Sequence, residues 1–76
     1  MIKAYVNRLS PSPRPDIFHY VMRIVNQDTG VTTYTSFMTS SDLEAKSIAT
    51  SFSKLYDIDE IDLDIKITYV GDNDED

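Results

Sequence analysis

Residues 41–70 read SDLEAKSIATSFSKLYDIDEIDLDIKITYV, and the reading of this stretch decides the fold. Its first half has the period of a helix and its second half the period of a strand. Ser41-Asp42-Leu43-Glu44 matches a capping box. The Ser41 hydroxyl can accept from the Glu44 amide, while the Glu44 carboxylate can return a bond to the Ser41 amide. Asp42 and Glu44 also suit the positive end of a helix dipole. Ala45, Ile48, Ala49, Phe52, Leu55 and Tyr56 recur at three- and four-residue steps, which predicts one apolar stripe. Ser47, Thr50, Ser51 and Lys54 fall away from it, and the helix should end near Tyr56 or Asp57. From Ile61 to Val70 the period becomes two. Ile61, Leu63, Ile65, Ile67 and Tyr69 alternate with Asp62, Asp64, Lys66, Thr68 and Val70, the pattern of a strand with one face on a core.

Upstream, Ile17–Asn26 reads as the strongest strand. Phe18, Tyr20, Met22 and Ile24 fall on one face, and Ile17, His19, Val21, Arg23 and Val25 on the other. Gln27-Asp28-Thr29-Gly30 is a turn, begun by Asp28 and closed by the positive φ that Gly30 supplies. Threonine-rich Val31–Met38 suits the returning strand of a hairpin. Ile2–Leu9 reads as a further strand, with Ile2, Ala4 and Val6 opposite Lys3, Tyr5 and Asn7. Between them Ser10–Asp16 (SPSPRPD) reads as an extended spacer, because prolines at alternate positions exclude a central strand. The tract lacks the Pro-x-x-Pro spacing of groove-binding ligands. The predicted fold is α+β, with elements in the order β-β-β-α-β. A small antiparallel sheet carries one helix packed on one face. Residues 1–70 form the single domain, and Gly71–Asp76 (GDNDED) is expected to be a disordered acidic tail. The uncovered sheet face would carry Val21, Val25 and Tyr34, an area that suggests dimerisation or a partner contact.

Seventy-six residues allow one thin core. Without cysteine there is neither a disulfide nor a thiolate site. The apolar–polar alternation of Met1–Leu9 differs from the continuous apolar core of a signal peptide. No run reaches the roughly 18 apolar residues of a membrane span, so a cytoplasmic location without membrane contact is expected. Two glycines cannot build a phosphate-cradling loop, and no serine stands in a Gly-x-Ser-x-Gly elbow. The one histidine, His19, lies mid-strand without an orienting partner in the sequence, which reads as a sheet-surface residue and not a general base. No enzyme chemistry, cofactor or metal site is expected.

Charge is segregated. The net charge is −6, with +2 on residues 1–56 and −8 on residues 57–76. The acids Asp57, Asp59, Glu60, Asp62 and Asp64, followed by Asp72, Asp74, Glu75 and Asp76, are the candidate partner-binding residues. Three readings apply to Asp57–Asp64. A calcium loop would need a glycine at its sharp turn, and none is there; Ile61, Leu63 and Ile65 also interleave with the acids. A solvated edge that blocks strand pairing is the structural reading. The functional reading is an acidic surface that attracts a basic one. Same-face strand residues repeat at about 6.6 Å, close to the roughly 6–7 Å between phosphates along a nucleic-acid strand. The acids would thus imitate a short stretch of backbone. Direct nucleic-acid binding is disfavoured, since the bases form no cluster.

The run VMRIVNQDTGVTTYTSF, then SSDLEAKSIATSFSKLY, then IDLDIKITYV, in a short acidic chain without cysteine, resembles the small acidic inhibitors that bacteriophages direct at host machinery. Anti-CRISPR proteins and inhibitors of host polymerase, DNA glycosylase or sliding clamp are of this kind. The resemblance covers residues 17–70 in size and architecture and transfers no residue role. It implies inhibition by surface occlusion in the host cytoplasm, and a host protein with a basic, nucleic-acid-binding surface as partner. The alternative expectation is an assembly subunit that forms a homodimer through its uncovered sheet face.

Overall fold

The computed structural model describes residues 1–70. It contains β1 (Ile2–Arg14), β2 (Ile17–Asn26), β3 (Thr32–Thr39), α1 (Asp42–Leu55) and β4 (Glu60–Tyr69). The four strands form one sheet in the order β3-β2-β1-β4, and the element order is the expected one. The expected tail, 71–76, lies outside the described residues.

The sheet is mixed, which corrects the all-antiparallel expectation. β1–β2 and β2–β3 are antiparallel, while β1 and β4 are parallel. The helix is the reason. Fourteen residues of α1 carry the chain back about 21 Å along the sheet. β4 therefore starts at the same end as β1 and takes the edge that β2 leaves vacant. A helical crossover of this kind produces parallel pairing.

β1 also runs past its expected end at Leu9, through the proline tract that was read as a spacer. The β1–β2 register jumps between Leu9↔His19 and Arg14↔Ile17. Pro11 and Pro13 fall in that gap, where no ladder bond to β2 is asked of them. On the other side Ser10 still pairs with Tyr69, and its carbonyl accepts from the Val70 amide (2.8 Å). A proline is excluded from a strand only where its missing N–H is needed.

Ala4 and Val6 of β1, Tyr20, Met22 and Ile24 of β2, and Ala45 and Ala49 of α1 form the buried core. Phe18, Phe37, Phe52, Ile61, Leu63 and Ile65 close around it. Two alanines on the inner helix face let α1 approach the sheet closely. Tyr20 stacks on Phe37 with ring centroids 5.5 Å apart, and Phe37 meets Phe52 at 5.9 Å. The Tyr20 hydroxyl donates to Asp42 Oδ1 (2.7 Å), which also takes Arg8 Nη1 (3.3 Å). Burial first, and then this bond to a carboxylate, push the phenol up to about 12. Leu55 departs from the expected stripe: it is 72% exposed, in the last turn of the helix.

Both helix ends are specified locally. Ser41 caps the start, its Oγ accepting from the Glu44 amide (3.2 Å). The return bond is displaced from the expected Ser41 amide. Glu44 Oε1 instead accepts from the hydroxyls of Thr39 and Ser40 and from the Ser40 amide. These bonds, with Thr39 foremost, hold the Glu44 carboxyl below its ordinary value. At the far end Tyr56 is the C-cap and Asp57 adopts φ 54°. The Ile58 amide reaches back to the Ser53 carbonyl (2.9 Å). This is the Schellman arrangement, with aspartate where glycine is usual.

The β2–β3 turn is held mainly by Asn26. Its Oδ1 accepts from the amides of Asp28 (3.0 Å) and Thr29 (3.3 Å), and its carbonyl accepts from Gly30 (2.7 Å). Gly30 has φ 80°, as the turn requires.

Candidate functional site

The acids of residues 57–64 gather at one edge of the sheet, because β4 is an edge strand and the α1–β4 turn leads into it. Each has a distinct local position. Asp57 is the left-handed residue that ends the helix. Asp59 clamps the first strand: its Oδ2 accepts from the Ile2 amide (2.7 Å) and its own amide donates to the Ile2 carbonyl (2.8 Å). Glu60 lies 3.8 Å from Lys3 Nζ. Asp62 Oδ1 accepts from the Asp64 amide (3.0 Å), and Asp64 Oδ2 takes Lys66 Nζ (2.8 Å). The lysine bond holds the Asp64 carboxyl below its ordinary value and, reciprocally, raises the Lys66 ammonium. Candidates Asp72, Asp74, Glu75 and Asp76 lie outside the described residues.

The even spacing expected between Asp62 and Asp64 is interrupted. Tyr5 pairs with Asp62 and Asn7 with Lys66, so four steps of β4 oppose two of β1. The strand bulges between them and bends where a regular phosphate-like row would need it straight. The Asp64–Lys66 pair is exposed and the Lys3–Glu60 pair partly so, and solvent screening lets both exchange readily with a competing cation. Five carboxylates against the single Lys66 on residues 57–70 keep this edge strongly negative.

The same edge carries exposed apolar groups that the periodicity assigned to the core strand. Ile61, Leu63 and Ile65 pack on the core, whereas Ile67, Tyr69 and Val70 are exposed. Length explains the change. Ten strand residues span about 33 Å, and α1 covers only about 21 Å. The end of β4 outruns its cover, a mismatch readable from the two segment lengths. β4 thus presents carboxylates at its start and apolar side chains at its finish.

The face away from α1 presents Lys3, Tyr5, Asn7 and Leu9 of β1, with Val21, Arg23 and Val25 of β2 beside them. Arg23 lies over the Tyr5 ring (4.7 Å to its centroid), as does Lys3 Nζ (5.4 Å). Tyr34 pairs with Arg23 from β3. A shallow hollow of about 320 Å³ is bordered by Leu9, Val21, Arg23 and Tyr34, where Asn7 Nδ2 donates to Thr68 Oγ1 (2.8 Å). His19 is half-buried and pairs with Leu9 and Met38, neither of which can orient an imidazole. Among the described residues, no group of three or more metal-ligating side chains is placed to hold an ion. Nor is any described helix long and apolar enough to cross a membrane.

No family model matches the chain, and neither a curated protein nor a solved structure does.

Proposed function

We propose that this chain is a non-catalytic inhibitor that covers a basic, nucleic-acid-binding surface of another protein with its β4 edge. One observation carries the reading: carboxylates Glu60, Asp62 and Asp64 share an edge strand with the exposed side chains of Ile67 and Tyr69, and exposed Val70 follows directly. Charge of this kind steers a partner and raises the association rate, while short-range affinity comes from desolvated apolar contacts. Tyr69, 77% exposed, suits the aromatic anchor of such a contact. Lys3 and Lys66 now partner Glu60 and Asp64, and a partner's arginines or lysines would replace them. The bulge weakens the comparison with evenly spaced phosphates, so the proposal rests on charge and apolar contact together.

The test is capture from a bacterial lysate on the immobilised chain with rising salt, followed by competition. The captured protein should be nucleic-acid-binding, and added chain should displace its nucleic acid. Asp62→Asn with Asp64→Asn should weaken capture mainly through association rate, and Tyr69→Ala through dissociation rate. A captured protein whose nucleic-acid complex is untouched by saturating chain, or whose affinity ignores salt, refutes the proposal.

A second reading, an assembly subunit that dimerises through the uncovered sheet face, is supported by Leu9, Val21 and Tyr34 around the shallow hollow. Self-association insensitive to salt would favour it.

A further inference from the structure

The two edges of the sheet are built differently. β4 is guarded: it carries Glu60, Asp62, Asp64 and Lys66 and a break in register. β3 reads TTYTSFMT, with no charge, no proline and no glycine. Its register with β2 is unbroken from Phe18↔Thr39 to Val25↔Thr32. Charges, prolines and bulges are the usual protection of an exposed edge, and β3 has none of them.

Its free hydrogen-bonding groups can be assigned. The Asn26 amide donates to the Val31 carbonyl (2.9 Å). By the alternation of an antiparallel ladder, Thr33, Thr35, Phe37 and Thr39 direct their N–H and C=O groups at β2. Thr32, Tyr34, Ser36 and Met38 direct theirs outward. Four donors and four acceptors therefore wait along an uncharged strand of unbroken register.

We infer that β3 pairs with β3 of a second copy, antiparallel about a twofold axis perpendicular to the sheet, giving one continuous eight-stranded sheet with both helices on the same side. The distribution of charge selects a second copy as the occupant. With a net charge of −6, copies repel wherever their acids approach. A β3 seam puts the two acidic β4 edges at opposite ends of the joined sheet, about 33 Å apart across seven strand spacings. That is several times the roughly 8 Å screening length at physiological salt. Pairing through β4 would bring the same acids together. β3 itself adds no like charge to the seam, and threonine pairs well with threonine across strands.

The helix layer supplies matching apolar surface. At the Thr39 end of β3, Leu43 and Ile48 border a groove of about 390 Å³ together with Thr39, Ser47 and Glu44, whose carboxylate is engaged by Thr39 and Ser40. At the other end Val31, Thr33 and Tyr56 border a hollow of about 300 Å³. Antiparallel twofold pairing sets the end of one β3 opposite the start of the other. Leu43, 77% exposed, then turns toward Val31 and Tyr56 of the second copy, and the contact occurs twice. Such self-complementarity is what a twofold interface requires.

Sedimentation velocity on the full chain, from about 1 μM to about 1 mM, tests the inference. Wild type should pass from monomer to dimer within that range. Ser36→Pro removes an outward amide that takes no part in pairing with β2, and Ser36→Lys sets a charge on the seam. Each should raise the dimer dissociation constant at least tenfold with the far-ultraviolet circular dichroism retained. Hydrogen exchange at Thr32, Tyr34, Ser36 and Met38 should slow with concentration in wild type. Should Ser36→Pro fail to fold, Ser36→Lys and Leu43→Glu read the same seam. A wild type monomeric throughout overturns the inference. So does a dimer that ignores Ser36→Lys and Leu43→Glu, which would point to the uncovered face. β4 stays exposed in this dimer, so failure here is distinct from failure of the inhibitor proposal.

Discussion

Asp57 offers a test that separates backbone geometry from charge. It holds φ 54° at the end of α1, and the Ile58 amide closes over it to the Ser53 carbonyl. A residue with a Cβ in this region costs roughly 1–2 kcal/mol, less for aspartate than for most. Glycine removes that cost but gives back about 0.4–1 kcal/mol through the freer unfolded chain. Asp57→Gly should therefore stabilise the domain by about 0.5–1 kcal/mol. In a domain of this size that raises the melting temperature by about 2–8 °C. Asp57→Asn should be near neutral, because asparagine also tolerates the left-handed region, and Asp57→Ala should destabilise by up to about 1 kcal/mol. All three substitutions remove the same negative charge. Thermal and urea denaturation followed by circular dichroism would rank them. Equal stabilisation by all three would refute the backbone argument and assign the effect to relief of repulsion among Asp57, Asp59 and Glu60.

Other consequences are open to measurement. Ser41→Ala removes the acceptor for the Glu44 amide and should cost about 1 kcal/mol in urea denaturation. Glu44 has a depressed folded pKa, so its contribution is present above the ordinary carboxylate value and is lost as pH falls through the folded one. Glu44→Gln should lower stability near about pH 7 and flatten the acid limb between urea midpoints at about pH 7 and about pH 3. Tyr20 titrates the opposite way. Its phenol is raised from 10.0 to about 12, so its contribution is intact below about pH 10 and fades as pH rises through about 12. Tyr20→Phe should cost roughly 1.5–3 kcal/mol for the lost bond to Asp42 and abolish that alkaline limb in a circular dichroism titration. Ala49→Leu, at a fully buried helix–sheet contact, should cost about 1–3 kcal/mol by overpacking.

The elements legible in the sequence are those whose cause is local. β2 is found at Ile17–Asn26, and Ser41 caps α1 as read, because alternation and capping act over a few residues. The direction of β4 could not be read. Its alternation is the same whether its neighbour runs with it or against it, and the choice is made by how far α1 carries the chain. The prolines of β1 misled for a related reason: their compatibility depends on what the neighbouring strand demands of them. At the site, the gathering of acids at one edge followed from their position in the sequence. Their individual roles did not. Asp57 ends a helix, Asp59 clamps Ile2 and Asp62 braces a bulge, and these are backbone relations that a charge count cannot contain.

The parallel pairing of β1 with β4 has a kinetic side. β1, β2 and β3 are joined by short turns and can assemble from neighbouring segments as soon as they leave the ribosome. β4 comes last, and its contact with β1, as in Asp59 with Ile2, spans 57 positions of sequence. Contacts of such separation form slowly, because a long loop must close before they repay its entropy. Until then the β1 groups that end on β4 stay open, and the core lacks Ile61, Leu63 and Ile65. A nascent chain is thus most prone to aggregate before β4 docks, so the strand that closes the sheet is also the one that brings the acidic edge.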